Sequence, residues 1–165
     1  MIRAGTVVLL LLLACGCSAD NGPEPSADDP SEAPRDLRVG RISAGAPGQG
    51  PEEPQVIVAP SAAALSEAIG ANVSDSGEGT YLAAYWGEKS TGGYSLEVGS
   101  ARLEGDRVTL RLTLEEPPRE AVVTQALTYP YAVAVVRDLD PGGMDFSLAD
   151  QSGRALGWPL RHIGG

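Results

Sequence analysis

The sequence predicts an α+β fold, mainly antiparallel β-sheet with one short helix, in a single small domain on a disordered tether. Residues 94–99 and 108–115 alternate between apolar and polar side chains, which is typical of strands with one buried face. Residues 81–86 and 131–136 are apolar almost throughout, as expected for central strands covered on both faces. Strands therefore outnumber helices in this chain.

The helix is expected between Ser61, which can cap its N-terminus, and Gly70, which ends it. Apolar residues recur at helical intervals between these two positions, at Ala63, Leu65, Ala68 and Ile69. A β-branched run at residues 56–58 precedes the helix and predicts a further strand.

Residues 94–99 and 108–115 are expected to form a hairpin that turns at residues 104–106. The parity of the apolar positions changes near Gly99 and Ser100, which indicates a β-bulge. Residues 122–127 continue in an extended pattern. Residues 144–160, with turn residues at 151–153, predict a terminal hairpin.

The N-terminus has the pattern of an export signal. Residues 1–16 hold an early arginine and an apolar run at residues 7–13, too short to span a bilayer at about 1.5 Å per residue. Small residues and cysteines follow, and this arrangement resembles the lipobox of bacterial lipoproteins. In that family the cysteine is acylated, so we expect a lipid anchor at Cys17, with Cys15 as the alternative.

Residues 17–54 are rich in proline, glycine and acidic residues, a composition that buries too little apolar surface to fold. We therefore interpret this segment as a disordered tether, with residues 37–43 as an open candidate for a first strand. The folded domain is placed at residues 55–163. The protein is expected on the outer face of the bacterial cell membrane.

Composition excludes several classes of protein. The 22 acidic and 12 basic residues give a net charge of −10, which repels phosphate backbones and argues against nucleic acid as a partner. Both cysteines precede the domain, so a disulfide framework and a cysteine-based zinc site are excluded. No metal or cofactor is expected.

The sequence offers little for catalysis, and we expect no enzyme. His162 is the sole histidine and has no partner motif, and no nucleophile elbow is present. Asp138, Asp140 and Asp145 surround a Pro-Gly-Gly segment, which favours a turn over a calcium site because the closing glutamate of a calcium loop is absent.

Residues 89–94, Lys-Ser-Thr-Gly-Gly-Tyr, join a buried strand to the hairpin. Their glycines can simply supply the positive φ angles of a tight connection. Alternatively, the same residues form an exposed recognition loop with a lysine and a tyrosine beside free backbone donors. The two interpretations are compatible.

This segment carries a family resemblance. Residues 87–98, Gly-Glu-Lys-Ser-Thr-Gly-Gly-Tyr-Ser-Leu-Glu-Val, resemble the signature of the PrcB family, named for a protease-complex subunit. The family's later features follow in order as residues 116–118 (Glu-Pro-Pro), 123–125 (Val-Thr-Gln) and 128–131 (Thr-Tyr-Pro-Tyr). The similarity covers roughly residues 80–137.

The resemblance implies a β-rich domain, often on a lipoprotein, that associates with or stabilises a secreted protease. It implies a protein partner, with the membrane reached through the N-terminal lipid. The residues that match the motif, and are therefore the candidate partner-binding residues, are Lys89, Thr91, Gly92, Gly93, Tyr94, Gln125, Pro130 and Tyr131.

Two other functions stay open on the sequence. Thr91 to Tyr94 is loosely similar to the T-T-G-[YF] loop of chagasin-like protease inhibitors, which insert loops into an active site. A small-ligand-binding lipoprotein is the other, with a pocket lined by the aromatic residues Tyr81, Tyr85, Trp86 and Trp158.

Overall fold

The computed structural model describes residues 33–164, which form a sandwich of two β-sheets with a helix on one outer face. The expected signal peptide, Cys15, Cys17 and residues 18–32 of the expected tether lie outside the described residues. The elements of the described chain are, in order, β1 (Arg35–Leu37), β2 (Val39–Gly45), β3 (Gln55–Ala59), α1 (Ala62–Ile69), β4 (Gly79–Tyr85), β5 (Ser95–Glu104), β6 (Arg107–Glu115), β7 (Tyr131–Arg137), β8 (Asp145–Asp150) and β9 (Leu160–His162).

The first sheet has the order β1-β5-β6-β8, and its alternating strands turn one face to the core. β5 and β6 pair antiparallel as the predicted hairpin, and their register shifts between Val98 and Ser100, which confirms the predicted bulge. Leu96, Leu110 and Leu112 point inward from these strands and are fully buried.

The second sheet has the order β2-β7-β4-β3-β9, with the two apolar strands near its centre as predicted. Its inner face, with Leu82 and Ala134, packs against the first sheet. Its outer face, with Ala83 and Val133, belongs to a second apolar cluster that includes the helix. Burial on both faces explains why β4 and β7 contain almost no polar side chains.

The helix forms where the sequence predicts it. The Ser61 hydroxyl accepts a hydrogen bond from the backbone N–H of Ala64 at 3.2 Å, and Gly70 ends the helix in the left-handed region with φ 65°. Leu65 is fully buried against the second sheet. The α+β class with a single short helix is confirmed for residues 33–164.

The folded domain begins near Arg35 and not at residue 55, which corrects the end predicted for the tether. The strand left open at residues 37–43 exists as two strands: β1 pairs with β5 in the first sheet, and β2 pairs with β7 in the second. Leu37 and Val39 pack against the core. Composition hid these strands because an edge strand satisfies its backbone by pairing and needs few apolar side chains.

The predicted terminal hairpin forms only beside its turn, where the Leu156 N–H donates to the Leu148 carbonyl at 2.9 Å. β8 pairs parallel with β6, and the chain then crosses to the second sheet, where β9 pairs parallel with β3. The expected antiparallel pairing is limited, within the described residues, to an isolated bridge between Ala149 and Ala155. Alternation predicts that a segment is a strand, but it does not choose the partner of that strand.

Asp150 holds the turn at which the chain leaves β8. Its Oδ1 accepts hydrogen bonds from the Ser152 hydroxyl at 2.6 Å, the Ser152 N–H at 2.9 Å and the Arg154 N–H at 3.0 Å. The hydrogen bond from the Ser152 hydroxyl, followed by those from the two N–H groups, lowers the pKa of Asp150. The ionised carboxylate therefore stabilises the turn.

We expect acid to weaken the domain through this turn. Because the pKa of Asp150 is lowered by folding, its contribution to the free energy of unfolding is present above the ordinary carboxyl pKa of about 3.9 and is lost as pH falls through the lowered value. Asp150→Asn should reduce stability at neutral pH and flatten the acid dependence in urea denaturation at a series of pH values. The exposed Asp106→Asn serves as control, and equal curves for Asp150→Asn and wild type would contradict the assignment.

Candidate functional site

Two long connections leave the same end of the sandwich and run beside each other. They are residues 86–94, between β4 and β5, and residues 116–130, between β6 and β7; we call them the paired connections. The N–H of Lys89 donates to the carbonyl of Thr128 at 2.8 Å, and the N–H of Thr128 donates back at 2.9 Å. This antiparallel bridge fixes the middle of one connection to the end of the other.

Further hydrogen bonds extend the bridge in both directions. The N–H of Trp86 donates to the Pro130 carbonyl at 2.9 Å, and the N–H of Gly92 donates to the Thr124 carbonyl at 3.0 Å. The Thr128 hydroxyl donates to the Thr91 carbonyl at 2.8 Å. The two connections therefore form one backbone-paired surface even though most of their residues lie outside strands.

The two glycines of the motif are required by this packing. A Cβ on Gly92 would collide with the hydroxyl of Thr124. Gly93 has φ 90°, and a Cβ there would lie 2.8 Å from Cβ of Pro117 and 3.1 Å from Val123. Both glycines thus allow the two connections to approach each other closely. This supports the interpretation that the glycines of residues 89–94 are needed for a tight connection.

Lys89 lies over aromatic rings at the rim of the core. Its Nζ is 4.5 Å from the ring centroid of Trp86 and 5.7 Å from that of Tyr94, and the two rings meet edge to face at 5.5 Å. Partial burial lowers the pKa of Lys89, and the carboxylate of Glu116 opposes this shift. The lysine is a positioned cation on an otherwise acidic chain.

Tyr129 ties the paired connections to the segment between β2 and β3. Its N–H donates to the Pro47 carbonyl at 2.9 Å, and its hydroxyl donates to Glu88 Oε2 at 2.6 Å. The hydrogen bond to Glu88 raises the pKa of Tyr129. A third segment of the chain therefore braces the motif.

The structure brings most of the predicted partner-binding residues together and separates one of them. Lys89, Thr91, Gly92, Gly93 and Tyr94 lie in the first connection, with Gly92 buried. In the second connection, Gln125 is exposed and Pro130 is buried. Tyr131 is the first residue of β7 and packs against the apolar cluster on the helix side of the second sheet.

Sequence analysis missed the most exposed apolar residues of this surface. Val122 is 104% exposed and Leu127 is 50% exposed, and both lie in the second connection. Residues 122–127 are extended in sequence pattern but belong to no strand, and Thr124 within them accepts a backbone hydrogen bond from Gly92 of the neighbouring connection. The adjacent Pro117-Pro118 pair was the available signal that sheet pairing stops here.

The acidic residues around the Pro-Gly-Gly segment form a turn, as predicted. Asp138 and Asp145 each pair with a different arginine, and Asp140 Oδ1 accepts from the Gly142 N–H at 2.9 Å. His162 is exposed beside the ring of Phe146. Within residues 33–164, no three His, Cys, Asp or Glu side chains are grouped so that they could hold a metal ion.

The aromatic pocket weighed from the sequence does not exist as one site. Tyr81 and Tyr85 lie on the helix side of the second sheet, whereas Trp86 and Trp158 pack against the core between the sheets. The Tyr81 hydroxyl is engaged locally: it accepts from the Ser76 N–H at 2.8 Å, and its single hydrogen is within reach of Asp75 Oδ1 and the Gly77 carbonyl. The four residues therefore cannot line a common cavity.

The fold and its paired connections define a small, helix-backed β-sandwich module. Residues 80–137, about a third of the chain, match the family model described as PrcB C-terminal. This segment runs from β4 to the end of β7 and includes both connections, so the resemblance seen in the sequence is confirmed. No curated protein and no solved structure matches the chain.

Separating the connections should destabilise the domain. Gly93→Ala places a Cβ against Pro117 at a positive φ, and we expect the free energy of unfolding to fall by about 1–3 kcal/mol. Gly48→Ala is the matched control because a Cβ there meets nothing within 4 Å. Urea denaturation checks the difference, and equal stability of the two variants would show that the connections are not tightly packed.

Proposed function

We propose that the protein is a lipid-anchored extracytoplasmic interaction module that serves as an accessory subunit of an exported protease. The family match to PrcB C-terminal supports association with a protease complex. Anchoring is supported by the signal pattern and by Cys17. In this proposal the protein acts by binding and not by turnover.

The observation that carries the proposal is the exposed apolar pair on the paired connections. Val122 and Leu127 are the exposed large apolar side chains of the described chain. Exposed apolar groups on a held backbone are characteristic of a contact surface, because burial by a partner removes them from water without ordering a flexible loop. Lys89 and the exposed Gln125 are polar residues of the same paired connections.

An inhibitor that inserts its Thr91–Tyr94 loop into a protease cleft receives less support from the geometry. Gly92 is buried, and Gly93 packs against Pro117. The N–H of Gly92 is also engaged by the Thr124 carbonyl. The loop lies along its neighbour and does not project as a free tip.

Membrane attachment is expected to depend on Cys17. Within residues 33–164, no helix has both the length and the apolar character to cross a bilayer. Cys17→Ser should move the protein from the membrane fraction to the soluble fraction, whereas Cys15→Ser should leave it in the membrane; fractionation and immunoblotting measure both. If only Cys15→Ser releases the protein, Cys15 is the anchor. If neither does, lipid anchoring is wrong.

Partner capture tests the proposed surface. The tagged full chain, purified from native membranes, should recover an exported protease, and Val122→Ser combined with Leu127→Ser should lower that recovery at least tenfold. Asp106→Ser, in the hairpin turn at the other end of β5 and β6, is the control and should recover as much as wild type. Recovery without a protease, or recovery unchanged by the double substitution, would contradict the proposal.

The activity of the captured protease separates an accessory subunit from an inhibitor. An accessory subunit should maintain or raise peptide hydrolysis and slow thermal inactivation of the protease when it is added back. Loss of hydrolysis on addition of the module would instead support the inhibitor.

A further inference from the structure

A cavity of about 500 Å³ lies on the outer face of the second sheet, beside the C-terminal end of α1. Its floor follows two rows of the sheet. In one row, Tyr131 lies directly opposite Tyr85; in the other, Ile57 lies opposite both Ala83 and Arg161. Because these residues share one face of the sheet, their side chains point to the same side. We call this cavity the tyrosine pocket.

The pocket exists because the helix is too short to cover the sheet. α1 has 8 residues, which corresponds to about 12 Å at 1.5 Å per residue. The helix ends at Ile69, and the segment between β2 and β3 stands opposite it as a second wall, with Pro47 and Pro51 in the lining. The volume falls within the range of about 300–1,000 Å³ typical of small-molecule sites.

The floor and walls combine apolar surface with a few polar groups. Ile57 and Val133 are buried at 4% and 3% exposure, and they form an apolar base. The rings of Tyr85 and Tyr131 lie 6.4 Å apart with a tilt of 30°. Burial raises the pKa of Tyr85, with a smaller contribution from Tyr131, so the Tyr85 phenol can donate a hydrogen bond at neutral pH.

The charge of the lining is opposite to the charge of the chain. The protein has 22 acidic residues, but no aspartate or glutamate is among the described residues that line the tyrosine pocket. Its one charged lining group is Arg161, which is exposed and takes part in none of the ion pairs formed within residues 33–164. An anionic group would find a cation there without a competing carboxylate.

We propose that the tyrosine pocket binds a small organic carboxylate with an apolar body, such as a medium-chain fatty acid or an arylalkanoic acid. The apolar body lies on Ile57 and Val133 and against the two tyrosine rings, and the carboxylate faces Arg161. The volume, the apolar floor and the single positive group each match this chemistry. The inference does not rest on the proposed protease partner, since it concerns the outer face of the second sheet.

Binding to the purified full chain tests the proposal. Decanoate, below its micelle-forming concentration, and phenylpropionate distinguish the two kinds of acid, and decanol is the uncharged probe. Titration is followed by calorimetry and by NMR shifts of the tyrosine rings. We expect at least one acid to bind more tightly than decanol and to shift the Tyr85 and Tyr131 signals.

Two variants locate the site. Arg161→Gln should weaken acid binding about tenfold, which corresponds to about 1.4 kcal/mol, and leave decanol binding unchanged, since only the acids carry a charge for Arg161 to pair with. Ala71→Trp fills the cavity mouth from an exposed position and should weaken every probe at least tenfold. Arg111→Gln, an exposed arginine of β6, is the charge-matched control and should bind as wild type does.

The proposal is overturned if neither acid binds, or if Arg161→Gln and Arg111→Gln bind the acids alike. It is also overturned if a peptide with a free C-terminal carboxylate binds while both small acids fail, because the pocket would then be a peptide site. Protease capture is measured separately with the Val122 and Leu127 variants, so failure of one idea leaves the other to be judged on its own result.

Discussion

The pairing of β4 with β7 is the constraint on which the rest of the structure depends. The two strands run antiparallel in unbroken register, from Gly79 opposite Arg137 to Tyr85 opposite Tyr131. A Cβ at Gly79 would strike the Val136 carbonyl, so the pair closes tightly at its first residue. Every outer layer of the domain packs on one face of this pair or extends the sheet from it.

This register also determines where the functional surfaces lie. Since Tyr85 and Tyr131 end the pair side by side, the residues next to them, Trp86 and Pro130, leave the sheet together and are joined by a hydrogen bond. The first connection therefore begins in contact with the end of the second. Successive side chains of a strand point to opposite faces, so Tyr85 faces the tyrosine pocket while Trp86 packs at the core beside Lys89 and Tyr94. One strand end therefore supplies both candidate surfaces.

Local signals in the sequence were sufficient for the elements that depend on local physics. The helix followed from a capping serine and a terminal glycine, and the β5–β6 hairpin with its bulge followed from the parity of apolar residues. Pairing between distant segments was not accessible in this way. The parallel partners of β8 and β9, and the strands β1 and β2 inside a proline-rich segment, depend on sheet edges that form only in the folded chain.

In the candidate site too, local sequence predicted some features, whereas others depend on contacts between distant segments. The motif residues Lys89 to Tyr94 could be named from the sequence, because the order and spacing of their pattern are specific. Their packing against residues 123–128, the exposure of Val122, and the displacement of Tyr131 to the other face could not be named, since each depends on how the second connection folds back.

The backbone hydrogen bonds between the paired connections bear directly on how these segments could recognise a partner. A long connection with little secondary structure would ordinarily lose conformational entropy on binding, which offsets part of the contact energy. Here, backbone hydrogen bonds at Lys89, Gly92 and Thr128 hold the two segments before any partner arrives. The exposed apolar side chains of Val122 and Leu127 are therefore presented from an ordered base. Binding at this surface would then bury apolar side chains at a smaller loss of backbone entropy than binding through two unpaired loops.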